Sequence, residues 1–251
     1  MRIYEVQFYI DGPIKFENNI NFQTTKELDL GRVFDSEINI RTTQRGNVIY
    51  ATVFTNDIDR AEKVAALFIG KMLDVLSVIT NCKLDISLFE NRQITHNIRT
   101  IVNVNEIQQA FELARVLNLD PERSKMLRAY SWYRKGLNSE NTLDKFLAFW
   151  NSISVVSDAF CEENERTRNG IINKIWNCFI QVWGQCPNWP IINGNENWVN
   201  VHNAIRNQIA HGGVTVDIEY VNNILDKITD LEKVNFKFLK DFSQRLDIQL
   251  R

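Results

Sequence analysis

None of the four cysteines, Cys82, Cys161, Cys178 and Cys186, forms a C-x-x-C pair. Their spacing, with or without His202, matches no familiar zinc site. No signal-like segment precedes them, so the expectation is reduced thiols in a cytoplasmic protein. Long apolar runs are missing as well. The best window, Val64–Thr80, is broken by Lys71 and Asp74, so no membrane span is expected. Net charge is also lacking. A formal charge of -2 leaves no global basic field of the kind many nucleic-acid binders carry, so any contact with RNA must come from a local patch. The first hundred residues contain no Gly-rich phosphate loop, no H-E-x-x-H and no G-x-S-x-G, which removes the common signatures of nucleotide binding, zinc proteolysis and serine hydrolysis. No repeat or low-complexity stretch occurs.

What is present belongs to a soluble globular chain, 44% apolar and 24% charged, long enough to fold without staples. Strand character comes first. Arg2–Ile10 alternates through Tyr4, Val6, Phe8 and Ile10. Ile38–Arg41 and Val48–Phe54 follow, with Arg45-Gly46-Asn47 as the turn signal. The period changes in Asp57–Thr80. Ala61, Val64, Leu67, Ile69, Met72, Val75 and Val78 there predict a buried helix capped by Asn56 or Asp57. Lys83–Phe89 and Asn97–Val104 return to β-branched runs. Isolated His96 reads as a loop or edge residue. Residues 1–104 are thus expected to form a small α/β sheet domain, of unknown role.

From Asn105 helix signals take over. Glu106–Leu117 is amphipathic. Asp120-Pro121 opens a helix that Gly136 is expected to end. Ser139–Phe160, Asn169–Trp183 and Trp198–His211 follow, and Gly184–Asn195, with two prolines, reads as a loop. Asp217–Leu250 is one long helix or two. Residues 105–251 are therefore expected to be an all-helical bundle, and the whole chain α+β. Trp150, Trp176, Trp183 and Trp198 read as core rather than as a stacking platform.

Chemistry concentrates at one helix end, Ile205-Arg206-Asn207-Gln208-Ile209-Ala210-His211-Gly212-Gly213. Trp198, Val201, Ile205 and Ile209 predict one apolar stripe, and the glycines a helix stop. Asn207 and His211 share a face away from that stripe. Arg206 sits at its margin. The spacing also places His211 at the negative end of the helix dipole. A proton carrier beside a guanidinium suits chemistry on a phosphodiester. A last-turn histidine also serves simply to satisfy carbonyls, and that plainer reading stands beside the first. Among the three histidines only His211 has an arginine five to seven positions earlier. His202, one turn before Arg206, reads as surface that could line the site.

The string Arg-Asn-x-Ile-Ala-His-Gly at the end of an amphipathic helix resembles the signature of HEPN domains. Arg128-Ala-Tyr-Ser-Trp-Tyr-Arg-Lys-Gly-Leu137, followed by Lys145-Phe-Leu-Ala-Phe-Trp150, resembles the first core helices of their MauJ- and Apea-like prokaryotic branch, found in uncharacterised and defence-associated proteins. Where that branch often carries a glutamate late in the second of these helices, this chain has Ser154. The resemblance implies a metal-independent endoribonuclease needing no cofactor, toxin-like or defence-associated, with two protomers pairing their motifs across a groove. Attack by a ribose 2′-hydroxyl would leave a 2′,3′-cyclic phosphate. His211 would move protons, Arg206 would stabilise phosphorane charge, and Asn207 would orient His211 or a phosphate oxygen. The resemblance equally accommodates a non-catalytic module binding nucleotide, RNA or a regulatory protein. Arg123, Lys125, Arg128, Arg134 and Lys135, against one acid, Glu122, are the candidate RNA-facing patch; a solvated basic face fits them as well.

Overall fold

Period-two alternation at the start of the chain produces an antiparallel sheet, and the later three- and four-residue spacing produces helices. The computed structural model describes residues 2–27, 33–43, 46–88, 100–139, 141–212, 218–248 and 250. They form two units, residues 1–119 and 120–251, giving an α+β chain. His96, Arg45 and Gly213 lie outside the described residues.

The first unit holds β1 (Arg2–Asp11), β2 (Ile14–Phe16), β3 (Ile20–Glu27), β4 (Val33–Thr43), β5 (Gly46–Thr55), α1 (Ile58–Thr80), β6 (Asp85–Leu88), β7 (Thr100–Val102) and α2 (Val104–Leu119). Five strands pair antiparallel in the order β3-β4-β5-β1-β6, while β2 and β7 pair in parallel. Thr43 and Gly46 close the β4–β5 hairpin, so Gly46 and Asn47 belong to β5 rather than to the turn the sequence suggested. Strands β2 and β3 carried no clear signal: β2 has three residues, and β3 is an edge strand whose second half is polar.

Helix α1 starts where its cap is. The Asp57 side chain accepts the Arg60 backbone N–H at 2.8 Å. Its second half, Met72 to Val78, is buried on every side. Its first half is one-sided, and Leu67, expected inside, is 62% exposed. Helix α2 opens with a reciprocal capping box. Asn103 Oδ1 accepts the Glu106 N–H at 3.0 Å, and Glu106 Oε2 accepts the Asn103 N–H at 2.8 Å. Phe111 of α2 packs edge-on to Phe22 at 5.4 Å and against Phe68 at 5.1 Å. Those ring contacts tie α2 to the sheet and to α1. The division therefore falls after Leu119, not at the 104/105 junction expected from the change of period.

The second unit contains α3 (Ser124–Asn138), α4 (Thr142–Phe160), α5 (Ile171–Trp183), α6 (Trp198–His211) and α7 (Ile218–Arg245). Helix α4 is its axis, packed by the other four. It starts at the Asn141 cap, whose Oδ1 accepts the N–H groups of Leu143 and Asp144 at 2.9 and 3.1 Å. Ser139 instead belongs to the end of α3, where its N–H reaches the Lys135 carbonyl. Gly136 does not stop α3. It lies inside the helix, where a Cβ would meet the Phe149 ring at 2.5 Å, so it is a point of close helix approach. Asp120-Pro121 forms a turn before α3, with Asp120 Oδ1 accepting the N–H groups of Glu122 and Arg123. Buried polar groups are matched across the bundle. Ser152 Oγ donates to the Ala129 carbonyl, Asn235 Nδ2 to the Phe149 carbonyl, and the Tyr130 hydroxyl meets Ser243 Oγ at 2.6 Å.

Helix α7 is single and continuous. Its buried ridge runs through Ile224, Ile228, Leu231, Val234, Phe238 and Phe242, leaving Leu225 47% exposed. Phe179 of α5 joins Trp183, Trp189, Trp198 and Phe238 at ring distances of 4.8, 5.2, 6.1 and 5.0 Å. Trp150 and Trp198 are buried, and Trp176 and Trp183 half-buried. Trp189, inside the loop predicted from its prolines, is fully buried and donates Nε1–H to the Gly184 carbonyl at 2.8 Å. Among the described residues, no helix is long and apolar enough to cross a membrane.

Candidate active site at the end of helix α6

Helix α6 is fastened at one end and free at the other. Trp198, Val199, His202 and Ile205 are buried. That ridge is rotated from the expected stripe: Val201 is 42% exposed, and Val199 and His202 take the inner face. His202 is therefore core, not surface. It is 2% exposed and stacked on Trp198 at 4.0 Å, on Phe146 at 5.8 Å and on Trp150 at 6.2 Å. Its Nδ1 donates to the Trp198 carbonyl at 2.8 Å, the tautomer that this bond selects. Nε2 makes no hydrogen bond of proper geometry, although the Lys227 backbone comes near enough to favour the cation weakly. Burial dominates and pushes the imidazole below the ordinary histidine range.

Beyond Ile205 the helix emerges. Gly212 takes the left-handed conformation (φ 62°, ψ 24°), and its N–H returns to the carbonyls of Gln208 and Ile209. A side chain is disfavoured in that conformation, so glycine ends the helix one residue after His211. His211 and Asn207 are exposed, and Arg206 is half-buried. Arg206 Nη1 donates to Asn207 Oδ1 at 2.9 Å. The bond draws the guanidinium from the rim of the buried ridge towards the face that Asn207 and His211 share, about 100° around the helix. Asn207, expected to orient the histidine or a phosphate, thus holds the arginine. Beyond the end of α6, the Tyr220 hydroxyl on α7 donates to Gln208 Oε1 at 3.4 Å. Nothing in the sequence pattern pointed to that contact.

On α4, Ser154 Oγ turns back onto its own helix and donates to the Trp150 carbonyl at 2.9 Å. The five candidate RNA-binding cations separate. Lys125, Arg128 and Lys135 are exposed along one strip of α3. Arg134 lies about 100° or more around the helix from each of them. Arg123 precedes the helix and pairs with Asp120 at 3.5 Å. Among the described residues no cluster of three or more His, Cys, Asp and Glu could hold a metal ion.

Chemically, the end of α6 offers a solvent-facing imidazole and a fixed guanidinium on a helix whose other end is anchored in aromatic core. An imidazole is a group that can carry protons, and a guanidinium one that can stabilise an anion. The chain is similar to a family model described as methylamine utilization protein MauJ, over residues 129–235. That span runs from α3 through α4, α5 and α6 into α7, so it includes Arg206, Asn207 and His211. No curated protein and no solved structure matches the chain.

Proposed function

We propose that the helical unit is a HEPN-type endoribonuclease that needs no metal and works as a homodimer. The observation that carries the reading is the glycine-capped end of α6, where Asn207 and His211 are exposed and half-buried Arg206 is bonded to Asn207. In this reaction one His211 takes the proton of a ribose 2′-hydroxyl. The 2′-oxygen bonds to the adjacent phosphorus, the bond to the 5′-oxygen breaks, and that oxygen takes up a proton. The products are a 2′,3′-cyclic phosphate and a 5′-hydroxyl, and no water is consumed. Arg206 stabilises the charge on the non-bridging oxygens. One motif offers one imidazole, whereas the reaction needs a base and an acid; a two-fold dimer supplies both.

A second reading has its own support. Ser154, where the HEPN branch often has glutamate, is engaged with its own helix, and that favours a non-catalytic module binding nucleotide, RNA or a regulatory protein. The test is cleavage of total RNA in the presence of EDTA, comparing the unaltered protein with His211→Ala and analysing product ends. Cyclic phosphate ends that vanish in the variant support the nuclease. RNA left intact by both proteins, with binding retained, establishes the module instead.

A further inference from the structure

Helix α3 carries charge of one sign only. Between Ser124 and Asn138 it carries Lys125, Arg128, Arg134 and Lys135 and no acid. Lys125, Arg128 and Lys135 recur at steps of three and seven, so they align on one face spanning about 15 Å along the axis. Trp132 lies between them on the same face, half-buried, with Lys135 Nζ 4.9 Å from its ring centroid. Among the described residues no carboxylate pairs with these three cations. The buried face of α3, by contrast, is spent on α4, through Ala129, Tyr133 and Gly136.

We infer that this strip is a seat for single-stranded RNA, with Lys125, Arg128 and Lys135 on successive phosphates and Trp132 under an unstacked base. A row of cations fits a repeating anion, and an aromatic face among them fits a ligand with free base surfaces. Duplex RNA offers the phosphates but keeps its bases stacked on each other. A membrane surface would call for a broad apolar face, and here one half-buried ring is all the strip provides. The strip does not duplicate the α6 site. Helix α3 meets α4 through Phe149 and Ser152, and α6 meets it through Phe146 and Trp150, so they occupy different flanks of α4. The inference rests on the proposed function only in taking the strand to be RNA.

The experiment is fluorescence-anisotropy binding of a labelled single-stranded 12-nucleotide RNA to the His211→Ala protein, which leaves the probe uncut. Duplex RNA and inorganic polyphosphate serve as competitors. Trp132→Ala should weaken single-strand binding about five- to hundred-fold, in line with the loss of one stacked base. It should leave competition by polyphosphate unchanged, and Trp132→Phe should retain most of the affinity. Lys125→Glu with Arg128→Glu should weaken both ligands. The starting protein should show a log–log salt slope of about -2, the value for three phosphates on a single strand. The inference is overturned if Trp132→Ala binds as tightly as its parent, if Trp132→Phe fails while remaining folded, if duplex or polyphosphate competes as well as single strand, or if no RNA binds. Cleavage is measured separately on the protein with His211 intact, so loss of the α6 chemistry and loss of the α3 seat are read independently.

Discussion

The two halves of helix α6 are built from similar residue types and put to opposite uses. Each contains a histidine. His202 is sealed between Phe146, Trp150 and Trp198, where its ring works as a flat hydrophobe that happens to make one hydrogen bond. His211, nine residues later, is exposed beside the glycine cap. The difference teaches that residue type alone assigns no role here; depth along the helix does. Anchoring one half fixes the axis on which the other half presents Arg206, Asn207 and His211.

The sharpest test of that contrast is a swap of readouts. His211→Ala should lower RNA cleavage by about 10² to 10⁴, the usual worth of a general acid or base, and leave the melting temperature nearly unchanged. A loss of many degrees instead would make His211 a structural cap and erase the contrast. His202→Ala should do the reverse. Emptying an aromatic-lined site should cost about 2–5 kcal/mol in urea unfolding, while cleavage per folded molecule holds. The ring-for-ring test is His202→Phe. It loses the bond to the Trp198 carbonyl and brings in a larger ring, but it also removes the buried Nε2, so it should cost less than His202→Ala, about 1–3 kcal/mol.

Acid should expose the buried histidine next. Burial lowers the folded-state pKa of His202 and outweighs the bond to the Trp198 carbonyl, which raises it; the Lys227 ammonium adds to the lowering, while the Lys227 backbone and Asp230 work against it. The unfolded chain therefore binds more protons below its own pKa of about 6.5. The His202 contribution to stability is complete above that pH and is lost as pH falls towards the folded pKa. The slope is at most about 1.4 kcal/mol per pH unit. Urea midpoints at pH 7.5 and pH 5.5 measure it, and His202→Phe should flatten that component. An unchanged slope in the variant would place the acid sensitivity elsewhere.

How much of this was legible beforehand follows from the range of the forces. The end of α6 was readable because its determinants are local: a glycine cap, a histidine one residue earlier and an arginine five before that. The rotation of the buried ridge was not. Polarity scales count valine as inside and histidine as outside, yet three aromatic rings from α4 and α6 make a better cavity for the imidazole than for Val201. Gly136 misled for a related reason. A glycine near a helix end reads as a stop until Phe149, on the next helix, is seen to need its space. The α2 boundary depended on Phe111 finding Phe22 and Phe68, which are distant in sequence. Trp189 was hidden by the prolines around it.

Within the exposed half, the Arg206–Asn207 bond sets a finer scale. Arg206→Ala should weaken both RNA binding and rate, and Arg206→Lys should recover binding better than rate, because an ammonium supplies charge without the planar fork. Asn207→Ala frees the guanidinium from its 2.9 Å partner and should cost less than either. A single exposed hydrogen bond is worth about 0.5–1.5 kcal/mol, so a rate loss of roughly tenfold or less is expected. An Asn207→Ala defect as large as that of His211→Ala would make Asn207 a participant in the chemistry rather than a holder of Arg206.

The smallest effect tests the geometry that supports all of these. Val199 and Val201 are two residues apart on α6, and apolar character alone does not separate them. The structure does, burying Val199 completely and leaving Val201 42% exposed. Val199→Ala removes two buried methyl groups and should cost about 1–3 kcal/mol. Val201→Ser removes little that water was denied, and a surface change of this kind should stay within about 0.5 kcal/mol. Denaturation midpoints of the two variants, taken together, report which way α6 faces without reference to activity. A larger loss in Val201→Ser than in Val199→Ala would mean the helix is turned back towards the stripe expected from Trp198, Val201, Ile205 and Ile209. Arg206, Asn207 and His211 would then present a different face.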